Sequence, residues 1–254
     1  MNIEIINLCK MFGDHKVLDN LSLDLKKGDT TVIIGRSGCG KSVLLKHIVG
    51  LMTPDSGQVI IDGVDITKLS GRELNKLRMK VSMLFQGAAL FDSLTIGGNV
   101  GFALYEHSNM SKRQIAKRVK ECLEMVGLRD IEDLKPAELS GGMRKRVGLA
   151  RAICTNPEVI LYDEPTTGVD PIMGDAVNHL IVNLHDKLKV TGIAVTHDMV
   201  SAYKIADRIA MLYNGKIIFT GTPSEIKGTK DPVVHQFING ASEGPITNGE
   251  HINH

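Results

Sequence analysis

The chain has 254 residues, 43% of them hydrophobic and 23% charged, which is enough for one large domain or two small ones with an ordinary core. A formal net charge of +1 excludes a general electrostatic attraction to nucleic acid or acidic lipid. No apolar run reaches the roughly 18 residues of a membrane span, and the first residues lack a signal-peptide pattern, so we expect the protein to stay where it is synthesised.

The first 29 residues are typical of two strands joined by a turn at Gly13–Asp14. In the second strand, leucines at positions 21, 23 and 25 alternate with polar residues, as in a half-buried strand. Phe12 lies on the same sheet, just before the turn. Its ring could stack on an adenine, or it could be a core or rim residue.

A glycine-rich segment follows a predicted buried strand at 31–34 and opens a predicted helix over 42–49. Its residues are Gly35, Arg36, Ser37, Gly38, Cys39, Gly40, Lys41 and Ser42. A strand, a glycine loop and a helix start form a concave row of backbone N–H groups that suits the oxygens of a di- or triphosphate. Lys41 adds charge toward the terminal phosphates, and the Ser42 hydroxyl can hold a bridging Mg²⁺. The Lys-Ser pair favours this interpretation over a plain glycine turn.

The four cysteines have no paired spacing, which is typical of reduced thiols in a cytosolic protein. Cys39 differs because it precedes a helix near Lys41, a setting that lowers the pKa of a thiol. The alternative is that Cys39 is an inert small residue.

The middle of the chain begins as strand and helix and then becomes helical. Strands are predicted at 58–62 and 81–85, the second ending at Gln86, with a basic helix between them that Ser70 and Glu73 would cap reciprocally. From Gly87 to Cys154 helical patterns dominate, including a second predicted capping box at Ser111 and Gln114 and a basic helix opened by Ser140. We interpret residues 87–154 as an inserted helical subdomain.

The last third returns to alternating strands and helices. A strand at 159–162 ends in Asp163 and Glu164, and a strand at 193–196 ends at His197. Asp170 is the predicted N-cap of a helix between them. The apolar face predicted for that helix comprises Ile172, Ala176, Leu180, Ile181, Leu184 and Leu188. Strands at 208–213 and 216–219 flank the predicted hairpin turn at 214–215. A short helix and a polar tail follow. His251 and His254 in that tail are expected to be solvated rather than to bind a metal.

Four polar groups at these strand and helix ends carry the predicted chemistry. Asp163 can hold the Mg²⁺ shell and Glu164 can polarise an attacking water, although two acids at a strand end are often only a cap or a solvated edge. His197, which alone would be structural, could bond a γ-phosphate, and Gln86 could reach the metal or the water.

A second anion-receptive segment is formed by Ser140, Gly141 and Gly142 at a helix start. It could be an ordinary serine-capped helix. A second phosphate site is useful if two copies of the chain face each other and each closes the nucleotide pocket of the other.

These segments, in this order, resemble the ATP-binding subunit of ABC transporters over nearly the whole chain. The matching positions are Phe12 for the adenine-stacking aromatic, Gly35 to Ser42 for the phosphate loop, Gln86 for the glutamine switch, Leu139 to Met143 for the signature, Asp163 for the metal-side acid, Glu164 for the catalytic base, Asp170 for the cross-subunit acid and His197 for the switch histidine. The signature usually ends in Gln, where this chain has Met143.

The resemblance implies an α/β fold: a P-loop NTPase core with a parallel sheet, an N-terminal antiparallel β subdomain and the inserted helical subdomain. It implies an ATPase domain over 1–225 and a short C-terminal extension, partly a flexible tail, over 226–254. It also implies ATP and Mg²⁺ as ligands and a head-to-tail homodimer with ATP between the two copies. The implied partners are transmembrane permease subunits, contacted by the helical insertion, and the implied location is peripheral, on the cytoplasmic face of the inner membrane.

Narrower features resemble one branch of the family, the Mla-type lipid transport ATPases. They are the segment 86–95, Met143, the segment 168–172 and the segment 231–240. The branch implies phospholipid as cargo, a lipid-binding shuttle component and, in some members, a small regulatory subunit. Gly98 departs from the branch, which commonly has an acid there. The alternatives are an importer ATPase for another cargo and a soluble ABC ATPase outside transport, which usually has coiled-coil arms or tandem units.

Overall fold

The structure, a computed structural model, describes residues 1–247 of the chain. These residues form two β-sheets and a group of helices. The strands are β1 Ile3–Phe12, β2 His15–Leu25, β3 Thr30–Ile34, β4 Ser56–Ile61, β5 Val64–Asp65, β6 Val81–Leu84, β7 Val159–Asp163, β8 Thr191–Thr196, β9 Arg208–Tyr213 and β10 Lys216–Gly221. The helices are α1 Lys41–Ile48, α2 Gly71–Arg78, α3 Ile96–His107, α4 Lys112–Met125, α5 Gly141–Cys154, α6 Pro171–Leu188, α7 Met199–Ile205, α8 Pro223–Lys227 and α9 Pro232–Asn239. Short 3₁₀ turns lie at Ile66–Lys68 and Pro136–Glu138.

The N-terminal sheet is antiparallel, with strand order β2-β1-β4-β5. Strands β1 and β2 are joined at Gly13, whose φ of 58° lies in the left-handed region that glycine adopts without strain. The leucines of β2 that alternate with polar residues point into the core and are nearly inaccessible to solvent. The predicted antiparallel subdomain is therefore confirmed.

The second sheet has the order β10-β9-β3-β8-β7-β6, and all of its neighbouring strands are parallel except the edge pair β9 and β10. Ile34 is paired with Thr196, and Asp163 with Val195. Because these pairs are in register, β3, β7 and β8 end at the same edge of the sheet. Whatever follows each strand, including the glycine-rich segment, is therefore brought to one place.

The inserted segment folds as helices α3, α4 and α5, of which α4 and α5 begin directly after Ser111 and Ser140, where helices were predicted. Apolar residues at helical spacing along α4, including Ile115, Val119 and Leu123, are buried in the larger of two hydrophobic core clusters. The parallel sheet lies between the two clusters, because alternate residues of β3, such as Val32 and Ile33, point into opposite ones. The mixed α/β fold predicted from the sequence is confirmed.

Of the two predicted capping boxes, one forms and one does not. The Ser111 hydroxyl accepts from the backbone of Gln114 at 3.3 Å, and the Gln114 side chain accepts from the backbone of Ser111 at 2.8 Å. The Ser70 side chain makes no cap bond to α2. Gly71 has a φ of 50°, and the Glu73 amide bonds the Ser70 carbonyl instead, so that prediction was wrong.

This contrast predicts different effects for the same substitution at the two helix starts. Ser111→Ala removes a side-chain cap, so we expect a loss of about 1 kcal/mol, or about 2–4 °C in Tm for a chain of this size. Ser70→Ala removes no such bond and is the matched control, with an expected change close to zero. Thermal unfolding followed by circular dichroism measures both. Equal shifts in the two variants would contradict the assignment.

Helix α6 buries most of the predicted apolar face but not its first residue. Ile181 and Leu184 are buried and Leu180 and Leu188 pack partly buried against the core, as predicted, but Ile172 is 82% exposed. The apolar pattern was extended one turn too far toward the N-terminus, where α6 leaves the core.

The chain beyond β10 packs against the rest through Ile226, Val234 and Ile246, which are buried in the larger core cluster. The side-chain oxygen of Gln236 in α9 accepts from the Ile246 amide at 2.7 Å and ties the end of this segment to α9. The domain boundary after residue 225 stays a prediction and falls within α8, while His251 and His254 lie outside the described residues. Within residues 1–247 no helix combines the length and the apolarity needed to cross a bilayer.

Candidate functional site

The glycine-rich segment forms the loop between β3 and α1, and packing requires its glycines. Gly40 is the N-cap of α1 with a φ of 103°, and a Cβ there would lie 2.9 Å from a methyl carbon of Val17 on β2. A Cβ at Gly35 would overlap the backbone carbonyl of Leu212 on β9. The loop therefore keeps its concave course only with glycine at these positions.

The Lys41 side chain is buried inside this loop. Its ammonium donates to the backbone carbonyls of Gly35 at 2.8 Å and of Arg36 at 3.0 Å. The same nitrogen lies 3.6 Å from a carboxylate oxygen of Glu164, which follows β7. The first residue of α1 thus places a positive charge between the loop and the strand end.

Ser42 and Asp163 bring a hydroxyl and a carboxylate together at the same edge of the sheet. The Ser42 hydroxyl donates to the Asp163 carboxylate at 2.7 Å. Burial raises the pKa of Asp163, the hydrogen bond from Ser42 lowers it, and the Glu164 charge raises it again. A cation beside Asp163 would offset the unfavourable burial of its charge.

Glu164 is held in a backbone conformation that non-glycine residues rarely adopt. Its φ is 48°, and its amide donates to the Val195 carbonyl of β8 at 3.0 Å. The carboxylate is buried, lies 3.0 Å from His197 Nδ1 and accepts from the Thr167 hydroxyl at 3.3 Å. A residue in such a conformation persists only where the surrounding contacts hold it in place. Residues of this kind cluster at functional sites.

These groups border a cavity of about 410 Å³. Phe12, Gln86, Glu164 and His197 line it together with Ser37, Gly38, Gly40, Lys41 and Ser42. The exposed ring of Phe12 is at the end of β1, and Gln86 follows β6. Segments predicted separately from distant parts of the sequence therefore meet around one space.

Arg36 and Cys39 line a neighbouring cavity of about 570 Å³, which shares Ser37 and Gly38 with the first. Burial raises the pKa of the Cys39 thiol, although Lys41 lowers it. Because burial has the larger effect, the expectation of a lowered thiol pKa was wrong, and the alternative of an inert small residue is favoured.

The second anion-receptive segment lies away from these cavities. Ser140 caps α5 by accepting from the Met143 amide at 3.2 Å, and a Cβ on Gly141 would be 3.9 Å from the Gly168 carbonyl. Asp170 caps α6 through the amides of residues 172 and 173. Ser140, Gly141, Gly142 and Asp170 do not line the cavity beside the phosphate loop, so their predicted contact with nucleotide requires a second copy and stays a prediction.

Sequence reasoning missed two residues, Thr167 and Lys145, that contact the site. The Thr167 hydroxyl bonds Glu164, and the buried Lys145 of α5 donates to the backbone carbonyls of Gln86 and Glu164. A signal for Lys145 is present in the sequence, because the period of α5 places it on the same face as the buried Leu149 and Ala152. A lysine on a buried face needs a local partner.

The side chains that line the cavity, together with Asp163 bonded to Ser42, fit a nucleoside triphosphate with Mg²⁺. Lys41 and the glycine-loop amides suit phosphate oxygens, while the Ser42 hydroxyl and the Asp163 carboxylate are the hard oxygen ligands that Mg²⁺ prefers. No group of three or more His, Cys, Asp or Glu residues suited to a metal occurs within residues 1–247. Mg²⁺ is usually held by one or two protein oxygens together with substrate phosphates.

Comparisons with known proteins agree with this geometry. The sequence profile described as ABC transporter matches residues 18–167. The chain is 43% identical to the intermembrane phospholipid transport system ATP-binding protein MlaF of Haemophilus influenzae, over 96% of this chain and 92% of that protein. It is 45% identical to the methionine import ATP-binding protein MetN of Carboxydothermus hydrogenoformans, over 88% of this chain and 66% of that protein. Among solved structures, the dimeric ATP-binding cassette MJ0796 bound to ADP and Pi superposes with a TM-score of 0.80 at 34% identity, covering 87% of this chain and 98% of that one.

Proposed function

Because the chain belongs to the ABC transporter family as an ATP-hydrolysing subunit, we propose that it energises phospholipid transport through a membrane permease of a bacterial envelope. The observation that supports the chemistry is the meeting of Lys41, Glu164 and His197 beside the glycine loop, with distances of 3.6 and 3.0 Å to the Glu164 carboxylate. The cargo rests on the likeness to MlaF along almost the whole chain.

In the proposed reaction, the loop amides and Lys41 bind the β- and γ-phosphates of ATP. Ser42 and Asp163 would hold Mg²⁺, which when bound would neutralise charge on the phosphoryl oxygens, and Gln86 would contact the metal or the water. The remaining work is positioning and electrostatic stabilisation by groups that the fold holds in place before ATP arrives.

Glu164 is the proposed general base, orienting or deprotonating the attacking water. His197 bonds Glu164 through Nδ1, which leaves Nε2 as the ring nitrogen for the γ-phosphate. Phe12 stacks on the adenine at the mouth of the cavity. Phe12, Lys41, Gln86, Glu164 and His197, to which these roles are given, all line the cavity.

The functional unit in this proposal is a head-to-tail homodimer. Ser140, Gly141 and Gly142 of one copy close the nucleotide site of the other, and Asp170 lies in the loop that crosses between them. The cassette MJ0796, which is similar to this chain, has a dimeric structure with ADP and Pi. Within one chain the segment at Ser140 is separate from the cavity, which is the arrangement that a closing partner needs.

The proposed partners are transmembrane permease subunits, contacted by the helical subdomain on the cytoplasmic face of the inner membrane. A lipid-binding shuttle component and a small regulatory subunit complete the assembly. The likeness to a methionine import protein keeps one alternative open, an importer for another cargo. The ATPase chemistry is the same in both cases.

Purification of the tagged chain from its native membrane, followed by mass spectrometry of bound proteins and lipids, tests the partners and the cargo together. We expect a permease, a lipid-binding partner and retained phospholipid, none of which should appear with an unrelated tagged protein. A permease with a different solute-binding partner would contradict the lipid cargo. Recovery with nucleic acid or ribosomes and without a permease would contradict the transport role.

A further inference from the structure

Helix α5 holds the loop that follows β6 through two cations. We call residues 86–89 the glutamine loop. Its Ala88 and Ala89 have φ values of 60° and 46°, a left-handed conformation that is unfavourable for alanine. Their carbonyls accept from the guanidinium of Arg151, at 2.6 Å for Ala89. The strained loop is therefore held by a hydrogen-bonding cation on α5.

Lys145, six residues before Arg151 on the same helix, contacts the glutamine loop and the end of β7 at once. Its ammonium donates to the Gln86 carbonyl and lies 3.4 Å from the Glu164 carbonyl. The Glu164 carbonyl also accepts from the Thr167 amide at 3.2 Å. Lys145 thus contacts the backbones of the two residues proposed to handle the metal and the water.

Lys145 occupies a buried position, where an apolar side chain would avoid the free-energy cost of removing a charge from water. The residue is only 5% exposed, and burial lowers the pKa of its ammonium while Asp163 and Glu164 raise it. A buried charge is often less stable than a well-packed apolar side chain of similar size. Packing of α5 alone therefore does not account for a lysine here, whereas a link between two catalytic segments does.

We propose that Lys145 is a positioning residue that fixes the Glu164 backbone relative to the glutamine loop, so that the two segments move with α5. The proposal rests on the proposed role of Glu164 as general base. Because α5 begins at Gly141, the helix that presents Ser140 and the glycines to a second copy also carries Lys145. A shift of α5 on closure would then reach the catalytic carboxylate of the same chain through this side chain.

Lys145→Met tests the proposal, because methionine keeps most of the side-chain volume and removes the donor. The kcat of the full chain for ATP is expected to fall by about tenfold or more, since small misplacement of a catalytic group can cost about 10²-fold. The KM and the dissociation constant for a non-hydrolysable ATP analogue should stay close to those of the wild type. Lys145→Arg, which keeps the charge and the donors, should recover much of the lost kcat.

Two further variants separate positioning from other effects. Arg151→Met loosens the glutamine loop without removing a contact to Glu164, so we expect a smaller loss of kcat than for Lys145→Met. Lys117→Met on the exposed side of α4 removes one positive charge and should leave kcat unchanged. If Lys145→Met does not fold, as judged by its Tm, Lys145→Gln takes its place with the same expected split between kcat and affinity.

An unchanged kcat in a folded Lys145 variant would overturn the proposal. Parallel losses of kcat, analogue affinity and Tm would also overturn it, because they are the pattern of a purely structural lysine. Glu164→Gln in the same assay keeps the two hypotheses apart. If that variant retains full turnover, the assignment of the general base fails, whatever Lys145 does.

Discussion

Glu164→Gln is expected to lower the rate of ATP hydrolysis by about 10²- to 10⁴-fold, the usual contribution of a general base. Glutamine keeps the size and the hydrogen-bonding oxygen that meets Thr167 and His197, but it cannot take a proton from water. The negative charge beside Lys41, at 3.6 Å, is also removed, so the Glu164 carboxylate no longer competes with phosphate for that ammonium. ATP affinity should therefore be retained or increased while turnover is lost.

Phosphate release measures turnover in this experiment, and fluorescence of a bound ATP analogue measures affinity. Glu158→Gln is a matched control, because Glu158 precedes β7 and pairs with Lys80 at the surface, whereas Glu164 follows the same strand. That variant should hydrolyse ATP at the wild-type rate. Full turnover by Glu164→Gln would remove Glu164 from the role of base and direct attention to Gln86 or His197.

Ser140→Arg is expected to abolish cooperative ATP hydrolysis while leaving binding of nucleotide to a single chain intact. The segment at Ser140 lies outside the cavity that the phosphate loop borders, so a bulky cation there should not disturb Lys41 or Ser42. In a sandwich of two copies, the arginine would occupy the space between the facing surfaces and prevent closure. The loss of the cap on α5 is expected to cost only about 1 kcal/mol.

Ser70→Arg provides the control for this experiment, because Ser70 is also a helix N-cap but makes no side-chain cap bond. ATPase rate against protein concentration separates the two variants, since only a reaction that needs two copies depends on concentration. If Ser140→Arg hydrolyses ATP at the wild-type rate, and that rate still depends on protein concentration, the sandwich arrangement is contradicted.

Much of the site follows from residues that end strands. Glu164 and His197 were predicted at the site because parallel strands that end at one edge bring their following residues together, and the pairing of Asp163 with Val195 places them there. The glycine loop was predictable because its residue types, spacing and flanking elements all indicate the same phosphate-binding structure. Both predictions depend only on the residue types and spacing within a short segment and on the geometry of parallel sheets.

The details that the sequence did not predict depend on contacts between distant segments. Ser70 has the residue type of a capping box, but the backbone at Gly71 takes another course. The pKa of the Cys39 thiol is decided by its burial, which no local pattern reports. The helical period of α5 places Lys145 on a buried face, but its partners, the carbonyls of Gln86 and Glu164, belong to distant segments that only the fold brings beside it.

The mass of the Glu164→Gln chain in solution, by sedimentation or light scattering with and without Mg²⁺ and ATP, tests the central claim most directly. Because this variant should bind ATP without hydrolysing it, we expect a monomer without nucleotide and a dimer with ATP, and no dimer once Ser140→Arg is added. A chain that binds ATP with full affinity and keeps the mass of a monomer at every concentration would contradict a nucleotide site shared between two copies.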